Sequence, residues 1–497
     1  MGNTVTKSAS VPNLRALVNE KDESFAHDTS SPDSPLKPVV IVTTDNLNEG
    51  LPPLTPGTTI ANSETESLVS SISDPLASPA SLDTITPAQT FAVAQWDGQQ
   101  YFADLVRDGL AALHKDNTNV LMLYESPSSS STETSFYNSQ VFNYHDFPAF
   151  PPYYKSVLAP CRYSIMNGST YPSYLRDDPP SGLIEHWQAT VPDFVAPTFV
   201  PTIDEQAQVY AYLPVEHLNL DNHVLVPHVH YHLAGKDAIH LMTNKTTRLL
   251  ANTQDERPCV AKVTHAMGSK GIFVIRNDED EVEFNEFLLE SGNPTFVVTE
   301  YVEIARNVAC HFFVHPSGDV TFFGSNENVL LPNGDWSTDS TIVMAEQEML
   351  KNMQLPYVQD VVAYCRALGF WGFCGVDVLF DTNGKGYVVD VNPRVTGTCP
   401  ALMIAQLLQA RYGFTHALFR RNSSFAYRGT AAELLAETEA YNKVQEGSSR
   451  IVLHSFYEKK PTLTLLNIAV YGTSLETCQE VLDRLAPPIE DEEEASA

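Results

Sequence analysis

The chain has 497 residues, with 61 Asp and Glu against 30 Lys and Arg, and its formal charge of −31 excludes a broad basic surface for nucleic acid. That length leaves room for roughly two or three domains with a sizeable core. The seven cysteines, Cys161, Cys259, Cys310, Cys365, Cys374, Cys399 and Cys478, are scattered and lack CxxC spacing, which fits a reduced, intracellular chain without a zinc site.

No apolar run reaches the roughly 18 residues of a membrane span, and the N-terminus lacks the apolar centre of a signal peptide. The chain opens MGNTVT, in which Gly2 and Thr6 fit the N-myristoylation pattern. One acyl chain gives only a weak, reversible membrane tether, so the expected location is cytoplasmic with a peripheral membrane contact. Residues 1–90 are rich in Ser, Thr, Pro, Asp and Asn, and bury too little apolar surface to offset the entropy of ordering; they are read as a disordered leader.

Order is expected from Phe91. Helical periodicity over 101–113 (YFADLVRDGLAAL) precedes a buried-strand run at 119–124 (NVLMLY), the start of an α/β layer. Residues 142–182 are dense in aromatics and Pro, and read either as an extended arm on the core or as a substrate-facing wall without regular elements. A strand is expected at 224–226, followed by His228, His230 and His232 at alternating positions; with no carboxylate or Cys at ligand spacing, they read as core or surface histidines. The segment 233–250 reads as a helix with an apolar stripe.

A strand at 258–263 carries Lys262 among apolar neighbours, where a charge needs a partner such as phosphate. The Gly/Ser loop THAMGSKG (264–271) and a second strand (272–275) make a flap whose backbone N–H groups can cradle phosphates, though without Walker-loop chemistry. A helix at 280–291, a strand at 295–303, two antiparallel strands at 308–314 and 320–324, and a helix at 341–369 follow.

The segment GVDVLFDTNGKGYVVDVNPRVTGT (375–398) is a hairpin in which Asn383-Gly384 reads as the two-residue loop. Counting outward, Thr382 faces Lys385, Phe380 faces Tyr387 and Asp377 faces Asp390. Two carboxylates so placed repel unless a cation lies between them. Asn392 and Arg394 share their face by the period of two, and this oxygen set suits Mg²⁺ together with phosphate. A helix at 401–412, strands within 450–471, a helix at 475–485 and a disordered acidic tail complete the pattern.

PCVAKVTHAMGSKGIFVI, FVVTEYVE and GVDVLFDTNGKGYVVDVNPR, in that order and spacing, resemble the ATP-grasp superfamily, in motif style its biotin-carboxylase-like and carboxylate–amine ligase branches. The resemblance implies an α/β (α+β) ATP-grasp fold. Its expected units are the 1–90 leader, an N-terminal α/β pre-ATP-grasp domain at 91–232, a two-lobed ATP-grasp domain with antiparallel sheets at 233–486 (lid lobe about 255–325), and an acidic tail at 487–497. By position, Lys236 and Lys262 resemble the lysines that meet the ATP phosphates, and Gly268, Ser269 and Gly271 the mobile lid loop. Glu300, Tyr301 and Val302 resemble the segment whose backbone reads adenine. Asp377, Asp390 and Asn392 resemble the Mg²⁺ (or Mn²⁺) ligands, and Arg394 the catalytic arginine, with Lys262 beside it in that role. Biotin carboxylase itself is disfavoured, because the residues after Arg394 lack its acidic residue and the chain has no AMKM motif. The implied activity is an ADP-forming ligase acting on a small-molecule carboxylate and an amine, in small-molecule or amino-acid-derived biosynthesis. The alternatives are an ATP-binding scaffold without turnover and an ATP-grasp kinase acting on a hydroxyl.

Overall fold

The computed structural model describes residues 91–127, 141–146, 151–266, 271–292, 294–330, 336–445 and 447–485. The expected leader, the acidic tail and Gly2 lie outside these residues. Among the described residues no helix is long and apolar enough to cross a membrane.

Three sheets carry the fold. The largest has nine strands among the described residues, ordered in space as Gly386–Asn392, Gly372–Asp381, Ile304–Val314, Val320–Leu330, Trp336–Val343, His416–Tyr427, Leu463–Gly472 and Ser449–Lys460. Along that path every pairing is antiparallel, and Val93–Gln95 adds a short parallel strand beside Val320–Leu330. A four-stranded parallel sheet lies N-terminal in sequence, with Phe199–Val200, Ser173–Tyr174, Val120–Leu123 and Gln208–Ala211 side by side. The third sheet, Leu249–Leu250, Phe296–Glu300, Cys259–Val263 and Ile272–Ile275, is antiparallel and covered by the helix Asp278–Glu290.

Burial explains this grouping. Leu250, Cys259, Ala261, Ile275, Phe284, Leu288, Phe296 and Val298 form a separate small core under the third sheet. The other two sheets share one large core, in which Phe102 of the helix Phe102–Ala112 meets Phe373 edge-on at 4.8 Å. Tyr210 ties the same two sheets together, its hydroxyl accepting from the Phe373 N–H at 3.1 Å.

Several expected elements take another form. Residues 142–182 are not free of regular structure, because the apolar run after Tyr153 folds as one π turn, Tyr154–Leu158, followed by the helix Ala159–Ser164. Pro160 sits in its first turn, where a missing N–H costs nothing. The expected strand at 224–226 is absent: Pro227 starts the helix Pro227–Leu233, so His228, His230 and His232 follow helical rather than alternating geometry. The expected helix at 233–250 shrinks to Ile239–Met242. There Thr243 Oγ1 donates to Asp360 and accepts from the Lys245 N–H, and Thr246 Oγ1 donates to the Val388 carbonyl; these side-chain bonds displace the helical ladder. Residues 341–343 end the strand Trp336–Val343, and the long helix begins at Gln347.

The hairpin also differs in detail. The Asp381 N–H bonds the Lys385 carbonyl, so the loop is Thr382, Asn383 and Gly384, three residues rather than two, with Gly384 at φ +78. Phe380 therefore faces Gly386, and Tyr387 faces Leu379. A bulge between Asp377 and Val378 then shifts the register by one, and Asp377 faces Asp390.

Candidate active site

The hairpin, the small sheet and the turn after the helix Pro227–Leu233 meet at one place. Asp377 lies between Val376 and Val378, both buried in the large core, so the strand period turns its carboxylate to the opposite face. Asp390 and Asn392 flank buried Val391 in the same way, and the Asn392 amide donates to Asp390 Oδ2 at 3.2 Å. Arg394 Nη1 donates to Asn392 Oδ1, while its guanidinium lies 5.1 Å over the Tyr212 ring.

Lys236 reaches this carboxylate group from the turn at Gly235. Its backbone N–H bonds the Thr264 carbonyl at 3.0 Å, and its Nζ lies 3.3 Å from Asp390 Oδ1. Lys262 comes from the strand Cys259–Val263, where Cys259 and Ala261 fill the small core and Lys262 takes the other face. Both lysines are almost fully buried, at 6% and 9% exposure. Burial first, and then the neighbouring charge of Lys236, lower the Lys262 ammonium to about 8, with Asp390 opposing the shift. Burial and then Asp390 push the Asp377 carboxyl up to about 7, against Arg421, Arg394 and Lys236. A carboxyl held that far up beside a second carboxylate is the condition a bound cation relieves.

Asp377, Asp390 and the Asn392 amide thus offer oxygen ligands on one face. Among the described residues no group of three or more His, Cys, Asp or Glu could hold a metal ion unaided. Two carboxylates and an amide fit a magnesium ion that completes its shell with substrate phosphates and water.

Glu300 ends the strand Phe296–Glu300, and its carboxylate accepts from the Arg248 N–H at 3.0 Å and pairs with the Arg248 side chain. Tyr301 and Val302 follow without strand pairing, in the passage from the small sheet to the strand Ile304–Val314. Gly271 closes the flap at φ +69, with its carbonyl bonded to the Val263 N–H at 2.8 Å. Gly268 and Ser269 lie outside the described residues.

Sequence reasoning missed further arginines. Arg162, in the helix Ala159–Ser164, is 4% exposed; its Nη2 donates to the Tyr163 hydroxyl at 2.8 Å, and its Nη1 to Asn467 Oδ1 at 3.3 Å. Arg421 stands on the strand His416–Tyr427, directly across from Asn467. The sequence signal was a lone Arg within the apolar run APCRYSIM and an Arg pair closing the apolar run ALFRR.

Residues 241–392 match the family described as "L-aspartate–L-methionine ligase, ATP grasp". That stretch carries the ATP-grasp likeness. The matched stretch takes in Lys262, Glu300, Asp377, Asp390 and Asn392, and leaves Lys236 and Arg394 just outside. Among solved structures, N5-carboxyaminoimidazole synthetase from Staphylococcus aureus in complex with ADP is 12% identical, with 74% of this chain and 96% of that chain covered and a TM-score of 0.43. L-amino acid ligase from Bacillus licheniformis is 13% identical, with 53% and 74% covered and a TM-score of 0.37. A search of curated proteins finds no match.

Proposed function

We propose that this ATP-grasp protein is an ATP- and Mg²⁺-dependent ligase that joins a small-molecule carboxylate to an amine and releases ADP and phosphate. The observation that carries the reading is the convergence of Lys236, Lys262, Asp377, Asp390, Asn392 and Arg394 in one group of contacts. The matched family's name is that of a ligase for two amino acids, which supports an amino acid on at least one side of the new bond.

Lys236 and Lys262 bind the ATP phosphates, and the backbone of Glu300, Tyr301 and Val302 meets the adenine edge. Asp377, Asp390 and Asn392 would hold Mg²⁺ or Mn²⁺, which neutralises phosphate charge when bound. A carboxylate is a poor electrophile, so its oxygen first attacks the γ-phosphorus while the bond to ADP breaks, giving an acyl phosphate. Arg394 and the two lysines face the charge that spreads over the phosphoryl oxygens. The amine nitrogen then attacks the acyl carbon, the carbon–oxygen bond to phosphate breaks, and the nitrogen gives up a proton. Near-complete burial of both lysines limits water, which would otherwise hydrolyse the acyl phosphate. Seven buried free cysteines support a reducing, cytoplasmic setting.

The reading is tested by release of ADP and phosphate across a matrix of acids, amino acids and amines. Equal amounts of both products are expected only when a matching acid and amine are present together. If ATP binds and no pair releases them, the ligase assignment fails; a phosphorylated product that persists would make the protein a kinase.

A further inference from the structure

We propose that Tyr212 is a catalytic residue, its hydroxyl donating to the phosphoryl oxygens of an acyl phosphate, with Arg394 Nε–H as the second donor. The proposal rests on the ligase reading above and adds to it a residue from the N-terminal parallel sheet, outside the matched residues 241–392.

Topology puts Tyr212 where a ligand is expected. It follows the strand Gln208–Ala211, and its N–H bonds the Leu123 carbonyl at 2.7 Å. The chain runs from the strand Val120–Leu123 outward through Ser173–Tyr174 and Phe199–Val200, then returns to pair Gln208–Ala211 on the other side of Val120–Leu123. Tyr212 therefore stands at the carboxyl end of a parallel pair where the strand order reverses, the place where open parallel sheets bind ligands. Val209 and Ala211 pack into a small core on one side of this sheet, so Tyr210 and Tyr212 turn to the other, toward the large core. There Tyr212 is half-buried, with the Arg394 guanidinium over its ring at 5.1 Å. Arg394 also bonds Asn392, so it links Tyr212 to the proposed metal set.

Hydrogen bonding there leaves two donors unspent. A phenol has one hydrogen to give. Arg162 Nη2 donates to the Tyr163 hydroxyl at 2.8 Å, and Tyr163 passes its own hydrogen to the Tyr212 oxygen at 3.1 Å. The Tyr212 hydrogen reaches no acceptor among the described residues. Arg394 Nε, buried, has no partner among them either. Two free donors at one stacked pair, one of them charged, suit an oxyanion, and unmet buried donors are costly without one. In the proposed reaction that anion is the acyl phosphate, whose phosphoryl oxygens accept from Tyr212 and Arg394 once the bond to ADP has broken. The amine lone pair then forms the carbon–nitrogen bond as the carbonyl pair moves onto oxygen. That pair returns, the carbon–oxygen bond to phosphate breaks, and phosphate leaves with the bonding electrons and the nitrogen's proton. Tyr212 keeps its own proton throughout.

The test reads binding first and turnover second. Melting of the full chain is followed with ADP and Mg²⁺ while acetonylphosphonate, a stable analogue of an acyl phosphate, is titrated. Tyr212→Phe keeps the ring under Arg394 and removes only the hydroxyl. It should raise the half-saturating concentration about 10-fold or more and leave ADP binding unchanged. Tyr163→Phe is the second variant: it removes the donor to the Tyr212 oxygen but not the Tyr212 hydrogen, and should cost less than about 3-fold. With an acid and amine pair that releases ADP, Tyr212→Phe should lower kcat about 10²-fold at an unchanged KM for ATP. Absence of acetonylphosphonate binding by the unaltered protein would overturn the proposal. So would equal losses in the two variants, which would make the tyrosines a support for Arg394. A normal kcat in Tyr212→Phe would overturn it while the ligase reading stands. Failure of every acid and amine to release ADP would instead remove the ligase reading, and the binding comparison would still decide the Tyr212 contact.

Discussion

Asp377 faces Asp390 because two irregularities of one hairpin cancel. The three-residue loop at Thr382, Asn383 and Gly384 moves the register by one residue, and the bulge beside Asp377 moves it back. The pair stands between repulsion and metal binding, and each member is expected to be indispensable: Asp377→Asn and Asp390→Asn should each lower kcat about 10²- to 10³-fold. Asp377 carries a second signature. Its folded carboxyl titrates near 7, above the roughly 3.9 of an unfolded chain, so the folded state binds more protons in that window and loses stability as pH rises through it. Without nucleotide or metal, Asp377→Asn should therefore raise Tm at pH 8 and leave it nearly unchanged at pH 4; equal shifts at both would rule out the ionisation argument.

Lys262 gives a pH dependence of the opposite kind. Its folded ammonium titrates near 8 against about 10.5 in an unfolded chain, so between those values the unfolded state holds more protons and stability rises with pH. Phosphate favours the charged form, so the KM for ATP should rise above pH 8 and ATP binding at pH 8.5 should take up protons. Calorimetry in buffers of different ionisation enthalpy measures that uptake. Lys262→Met should abolish it and raise the KM for ATP about 10- to 100-fold.

Arg394 is stacked as well as charged. Its guanidinium lies over the Tyr212 ring and bonds Asn392, a planar arrangement that an ammonium cannot reproduce. Arg394→Lys should therefore lower kcat about 10²-fold with little change in the KM for ATP. A variant with near-normal kcat would reduce Arg394 to a general counter-charge.

The junction between the two larger sheets tolerates little. Gly372 has φ +128, and an added Cβ there would run into the Tyr210 hydroxyl that bonds the Phe373 N–H. Gly372→Ala should cost roughly 2–4 kcal/mol, read from denaturant unfolding, through strain and the lost contact.

The proposed metal-facing half of the site was legible because Asp377, Asp390, Asn392 and Arg394 lie close together on one hairpin. Yet the two-residue turn used to pair them was wrong, and Asp377 still meets Asp390 only because the bulge offsets the extra loop residue. Lys262 was legible as a charge inside an apolar strand. Arg162 was not, because its helix lies in a Pro- and Tyr-rich stretch whose periodicity is short, and its partner Asn467 is 305 residues away. The segment from 233 to 250 misled for another reason: its apolar stripe is real, yet Thr243 and Thr246 spend their hydroxyls on Asp360 and Val388 instead of allowing a helix to continue.

The two cores that contain cysteines give the molecule internal reporters. All seven cysteines are buried and free, with Cys259 alone in the small core and the other six in the large one. Thiol-modifying reagents can reach none of them without an opening of the fold, so the rate at which Cys259 is labelled times the breathing of the Lys262 sheet. The remaining six record the opening of the body that holds Asp377, Asp390 and Arg394, and nucleotide that bridges the two should slow the first clock more than the second.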